Sequence, residues 1–152
     1  MGISSEEAAR GMTRVDFYLL EGEPAGGRNR AVCQITHKAF RLGHRIYILT
    51  ATTQHASELD RLMWTFNPGS FIPHGLSQEN ATDPLPVLIG TEQPPEEFHD
   101  VLISLTPKVP ECIDRFQRVA EIVDNDDMEK QRARERFRFY RDRGYPLNTH
   151  TL

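Results

Sequence analysis

Short apolar runs alternate along this chain with segments whose apolar residues recur at helical spacing. Val15-Asp-Phe-Tyr-Leu-Leu20 predicts a buried strand, followed by a Gly/Pro loop from Glu21 to Gly27. From Asn29 to Leu42, Ala31, Val32, Ile35, Ala39 and Leu42 fall on one helix face, and Gly43 supplies the stop. Arg45-Ile-Tyr-Ile-Leu-Thr50 is β-branched and aromatic and predicts the second strand. Ala56, Leu59, Leu62 and Met63 mark a helix from Gln54 to Trp64, which Asn67-Pro-Gly69 breaks. Pro86-Val-Leu-Ile89, Val101-Leu-Ile-Ser-Leu105 and Val119-Ala-Glu-Ile-Val123 predict the third, fourth and fifth strands. Pro94-Pro95 marks a loop, and Pro107 and Pro110 fence the end of the fourth strand. Asp124-Asn-Asp-Asp127 offers capping groups to a last helix that runs to Gly144, and Tyr145 to Leu152 is extended. Strands alternating with helices predict an α/β fold: one domain, a mostly parallel sheet, helices on both faces.

A chain of 152 residues predicts one domain, large enough to bury a real core. No apolar run approaches the roughly 18 residues needed to cross a membrane. Met1 to Gly11 lacks the apolar segment of a signal peptide. Met1-Gly2 opens like a myristoylation signal, but Glu6 stands where that signal needs Ser or Thr. Met12 is an alternative start. Residues 1–11 are therefore read as a disordered extension, native or an expression remnant, and residues 12–152 as the domain. Cys33 and Cys112 lie far apart and form no C-x-x-C, which predicts reduced, buried thiols in a cytoplasmic protein.

Charge changes the picture at the last helix. From Met128 to Arg143 there are seven Lys or Arg against three Asp or Glu, a balance of +4. The whole chain carries −4, so the remainder carries −8. Lys130, Arg134, Phe137, Arg138 and Arg141 recur at steps of three and four and share one face. Guanidinium groups around an aromatic ring suit a carboxylate with an apolar neighbour, because the planar fork grips carboxylate with two hydrogen bonds. The pattern fits an anionic partner (nucleic acid, phosphate or an acidic peptide) and also an ordinary solvated face. A pI near 5.9 argues against wholesale binding to duplex DNA.

Other chemistry is thin. A sheet of this kind often binds nucleotide after its first strand, but Glu21-Gly-Glu-Pro-Ala-Gly-Gly-Arg28 matches neither G-x-x-x-x-G-K-[ST] nor G-x-G-x-x-G. Asp124, Asp126 and Asp127 read as helix caps before they read as a metal site. His37, His74 and His99 have no ligand spacing, and His74 after Pro73 is left open between a buried and a catalytic role. Ser104 lacks a nucleophile elbow. No catalytic constellation, metal site or cofactor is expected. Trp64, Phe66 and Phe71 crowd a Pro/Gly turn, as core residues or as anchors for a partner.

Several landmarks together resemble the chi subunit family of bacterial DNA polymerase III. They are Asp16-Phe-Tyr-Leu-Leu20, Leu59-Asp60 with Trp64, Ser70-Phe-Ile-Pro-His74, Leu102-Ile-Ser-Leu105, Ala133-Arg-Glu-Arg136 with Tyr140-Arg141, and Leu147-Asn-Thr149. The resemblance covers nearly the whole chain after Met12. It implies a Rossmann-like α/β fold and a non-catalytic clamp-loader accessory subunit in the cytoplasm, at the nucleoid through the replisome, serving replication and repair. It implies binding to the acidic C-terminal tail of single-stranded-DNA-binding protein, to a psi subunit where one exists, and to a helicase-like partner, with DNA met only indirectly. Carried over residue by residue, the tail site takes Lys130, Arg134, Phe137 and Arg138, with Val123 on its floor and Leu147 and Asn148 closing it. The family commonly has Tyr where Phe137 stands, so one possible hydrogen bond is lost. Trp64 and Phe71 match positions associated with psi and helicase contacts. The rival readings are a direct single-stranded nucleic-acid binder, which would interleave exposed aromatics with its cations along a groove, and a nucleotide-dependent enzyme using the sheet.

Overall fold

The computed structural model describes residues 13–21, 27–66, 71–77 and 85–152. The expected extension 1–11, the Asn67–Gly69 break and most of the Glu21–Gly27 loop lie outside them. In chain order the elements are β1 (Arg14–Leu19), α1 (Gly27–Arg41), β2 (Ile46–Leu49), α2 (Thr53–Phe66), β3 (His74–Leu76), β4 (Val87–Gly90), β5 (Val101–Ser104), a 3-10 turn (Ile113–Arg115), β6 (Arg118–Val123), α3 (Asp127–Asp142) and β7 (Leu147–Thr151). The strands form one sheet in the order β3-β4-β2-β5-β6-β1-β7, and every pairing is parallel.

Successive side chains of a strand point to opposite faces. On one face Ile46, Ile48, Ile89, Ile103 and Ile122 meet Ala31 and Val32 of α1 and Ala56, Leu59 and Met63 of α2. On the other, Val15, Phe17, Leu102, Val119 and Val123 meet Ala133 and Tyr140 of α3, with Phe98, Ile113 and Phe116. Helices thus cover both faces as expected, which is why the strands read as continuous apolar runs rather than as alternation. Gly43 and Gly144 follow α1 and α3 at φ +88 and +81, the left-handed conformation that stops a helix without cost to glycine. Asp126 caps α3 by accepting from the Glu129 N–H at 3.0 Å.

Two strands go beyond the predicted five. β3 has three residues, too few for a period to show. The extended C-terminal segment is β7, paired in parallel with β1. Two buried carboxylates hold this end of the sheet together. Glu121, fully buried in β6, accepts from Arg136 Nε at 3.0 Å and from Tyr140 Oη at 2.8 Å, and Arg136 Nη1 also reaches the Pro107 carbonyl at 3.1 Å. Asp16 in β1 accepts from Arg118 Nε at 2.7 Å and from His150 Nε2 at 3.1 Å. His150 in turn stacks on Tyr18 with ring centres 4.8 Å apart. Among the described residues no helix is long and apolar enough to cross a membrane.

Candidate partner-binding site

A pocket of about 340 Å³ opens where the C-terminal ends of β1 and β6 meet the first turns of α3. Its apolar lining is Phe17, Leu19, Leu20, Val123, Ala133 and Phe137. Phe17 and Phe137 meet edge to face, centres 5.3 Å apart, so the floor is a fixed aromatic corner. Lys130 and Arg134 form the cationic wall, Glu21 and Asp124 stand at the strand ends, and Thr149 of β7 closes the side.

The rotation of α3 decides which cations reach this pocket. Arg136 is turned inward by Glu121 and is buried. Arg134 and Arg138, two residues to either side, are consequently exposed. At the N-terminus of α3, Glu129 accepts from Arg28 of α1 at 3.2 Å and lies 3.6 Å from Arg132. Those contacts tie the two helix starts together and occupy charges that would otherwise compete with Lys130 and Arg134.

Of the expected tail-site residues, the pocket brings together Val123, Lys130, Arg134 and Phe137. Arg138 stands one turn further along α3, exposed and outside the lining. Leu147 packs into the core beneath α3. Asn148 pairs in register with Asp16, so strand alternation turns it to the opposite face from Leu147 and Thr149. Thr149, in register with Phe17, occupies the wall instead. Phe17, Leu19, Leu20, Glu21, Asp124, Ala133 and Thr149 line the pocket without being among the expected site residues. The signal for Thr149 is the β1–β7 register, which sequence spacing alone does not supply.

A second surface lies at the other edge of the sheet. Trp64 and Phe71 are 51% and 65% exposed, yet their rings pack 5.4 Å apart. Trp64 also lies 4.4 Å from His74, which is buried. His74 Nδ1 sits 2.7 Å from the Ile72 carbonyl and Nε2 3.1 Å from the Asp60 carbonyl. Those contacts brace β3 against α2 and resolve the open reading of this histidine toward structure. Phe66 is instead half-buried, packed on the core under the Arg30 guanidinium.

A larger cavity, about 590 Å³, sits at the C-terminal ends of β2 and β4, where sheets of this type often hold nucleotide. Among the described residues its lining includes Tyr47, Leu49, Thr53, Gly90, Glu92, Glu111 and Cys112, with two carboxylates and no Lys or Arg. Burial pushes the Tyr47 phenol up to about 12 and also raises the Cys112 thiol, so neither is an activated group. Tyr47 Oη donates to the Glu92 carbonyl at 2.7 Å, and a Cβ at Gly90 would collide with that hydroxyl. Cys33 and Cys112 are free and buried. Among the described residues no group of three or more His, Cys, Asp or Glu is placed to hold a metal ion.

Comparison with known proteins finds relatives of the whole chain. Residues 12–148 match the family model described as DNA polymerase III chi subunit, HolC. The chain is 42% identical to DNA polymerase III subunit chi of Pseudomonas aeruginosa over 141 residues, covering 93% of this chain and 98% of that protein. It is 33% identical to the Escherichia coli subunit chi, covering 92% and 99%. The Haemophilus influenzae subunit chi is 28% identical, with 90% and 95% covered. The fold also recurs in the crystal structure of T4 UvsW, at TM-score 0.65 and 8% identity, where the match covers 93% of this chain and only 42% of that one.

Proposed function

The chain belongs to the DNA polymerase III chi subunit family, a family of the replication machinery, and from that premise we propose that it works there as a non-catalytic adaptor of the clamp loader. Its pocket beside α3 takes the acidic C-terminal tail of single-stranded-DNA-binding protein. The observation that carries this reading is the pairing of an aromatic, apolar floor with two cations in one small concavity. A peptide that ends in an aromatic residue puts a ring and a carboxylate side by side, and this pocket offers a partner to each. Lys130 and Arg134 receive the terminal carboxylate, Phe137 and Phe17 receive the ring, and Arg138 draws the upstream acidic residues from outside the pocket. Trp64 and Phe71 serve a different partner, a psi subunit or a helicase-like protein, at the opposite edge. Residues 12–152 are the working domain, the cell compartment is the bacterial cytoplasm, and DNA is reached through partners.

Fluorescence anisotropy with a labelled acidic tail peptide tests the assignment. A charge-assisted hydrogen bond contributes about 1.5–3 kcal/mol. Arg134→Ala is expected to weaken the peptide roughly 10- to 100-fold. Arg134→Lys recovers only part of the loss, because an ammonium does not make the two-pronged contact. Affinity falls with added salt as the attraction is screened. An Arg134→Ala protein that stays folded and binds like the wild type would return the helix to an ordinary solvated face.

A further inference from the structure

Among the described residues the sheet ends at β7, and β7 is paired on one side only. Val15 N–H donates to the Pro146 carbonyl at 2.9 Å, Leu152 N–H to Leu19 at 2.9 Å, and Glu21 N–H to Leu152 at 3.2 Å. In a parallel ladder the residues that bond a given neighbour alternate along the strand. Asn148 and His150 therefore share the inward orientation of Pro146 and Leu152. Leu147, Thr149 and Thr151 turn their N–H and C=O groups outward, and no described strand lies beyond them. Edge strands are usually guarded by charge or proline. Leu147-Asn-Thr-His-Thr151 has no Lys, Arg, Asp, Glu or Pro, and its residues from Asn148 on are exposed.

Thr149 belongs to both features. Its side chain lines the pocket of α3, and its backbone lies on the open edge. An extended chain that has its carboxylate at Lys130 and Arg134 and crosses Thr149 meets that edge directly. The geometry points to β7 as the second half of the peptide site: the residues upstream of an acidic tail's terminus add to the sheet as an eighth strand. Thr149 and Thr151 supply outward N–H donors, and Leu147 and Thr149 supply carbonyl acceptors. Main-chain bonds of this kind add affinity whatever the side chains are. Lys130 and Arg134 give an acidic chain's carboxylate its partners, with Glu21 and Asp124 set back at the strand ends, and the uncharged edge does not repel it. This inference rests on the reading of the pocket as an acidic-tail site.

The test compares two peptides on the full chain: a short one limited to the acidic terminus, and a longer one extended upstream. On the wild type the longer peptide is expected to bind about tenfold more tightly, as a few net backbone hydrogen bonds allow. Thr151→Pro removes one outward N–H without touching the β1 ladder, a placement that edge strands tolerate. That variant is expected to reduce the advantage of the longer peptide and leave the short one unchanged. Residue-resolved amide exchange should show Thr149 and Thr151 slowed by the longer peptide alone. If both peptides bind the wild type equally and neither slows these amides, the edge is unused and the inference fails while the pocket reading stands. If neither peptide binds, both fall. Protection of these amides that grows with protein concentration and without peptide would assign the edge to a second copy and overturn the proposal.

Discussion

Arginines of one helix separate by what each side chain can reach. Arg136 is buried against Glu121, Arg132 sits near Glu129, Arg143 lies 3.7 Å over the Phe139 ring, and Arg134 faces the pocket. Their residue type is the same, so the sequence alone does not sort them. One hint is a charged residue inside an apolar strand: Glu121 within Val119-Ala-Glu-Ile-Val123 demands a buried partner, because an unpaired buried carboxylate is too costly. The exposed aromatics invite the opposite test. Phe71 rests on Trp64 and is mostly solvent-exposed, so truncation removes little buried surface. Phe71→Ala is expected to move the melting temperature only slightly and to leave tail-peptide affinity unchanged, while weakening a psi-like or helicase-like partner. A loss of about 3–5 kcal/mol, the usual cost of a buried Phe, would make it a core residue and end that reading.

Elements differ in how far the chain reveals them. Strands buried on both faces were legible as apolar runs, and the caps at Gly43, Asp126 and Gly144 were legible because few residue types suit those positions. β3 was not, since three residues carry no period, and the pocket wall at Thr149 needs the β1–β7 register. Two predictions belong at this scale. Glu121→Leu leaves Arg136 buried without its carboxylate and should cost about 3–5 kcal/mol. Glu121→Leu with Arg136→Met should recover part of that loss, the remainder reflecting the buried Tyr140 hydroxyl left without its acceptor, and chemical denaturation of both singles and the double measures the coupling. If the double variant is as unstable as the sum of the singles, the pair does not act as a unit. The second prediction concerns pH. Burial would raise the Asp16 carboxyl, but hydrogen bonds from His150 and Arg118 outweigh it and hold the group below its ordinary 3.8. Its contribution to stability is therefore complete above 3.8 and lost as the pH falls through the lower folded-state value. Arg118→Ala should shift the acid-unfolding midpoint to higher pH, measurable by circular dichroism. An unchanged midpoint would mean the carboxylate is not linked to unfolding.

At the scale of the whole molecule, the sheet order sets β3 and β7 at opposite edges, so the aromatic surface and the α3 pocket are separated by the body of the fold. An adaptor needs that separation, because two partners must be held at once. The same layout bears on the nucleotide rival. Phosphate needs cations or a glycine-rich cradle at the strand ends. Here the large cavity at β2 and β4 carries Glu92 and Glu111, while the net positive charge sits on α3, beside β1 and β6. Two carboxylates at a cavity mouth oppose a polyanion, and the likeness to T4 UvsW is one of fold alone. Titration calorimetry with ATP, GTP and NAD, with and without magnesium, is therefore expected to give no heat at micromolar protein. Glu92→Gln with Glu111→Gln should not create a site, since removing repulsion supplies no phosphate ligand. A micromolar nucleotide site in the wild-type chain would show that the cavity has a use of its own, and the adaptor reading would then describe only part of the molecule.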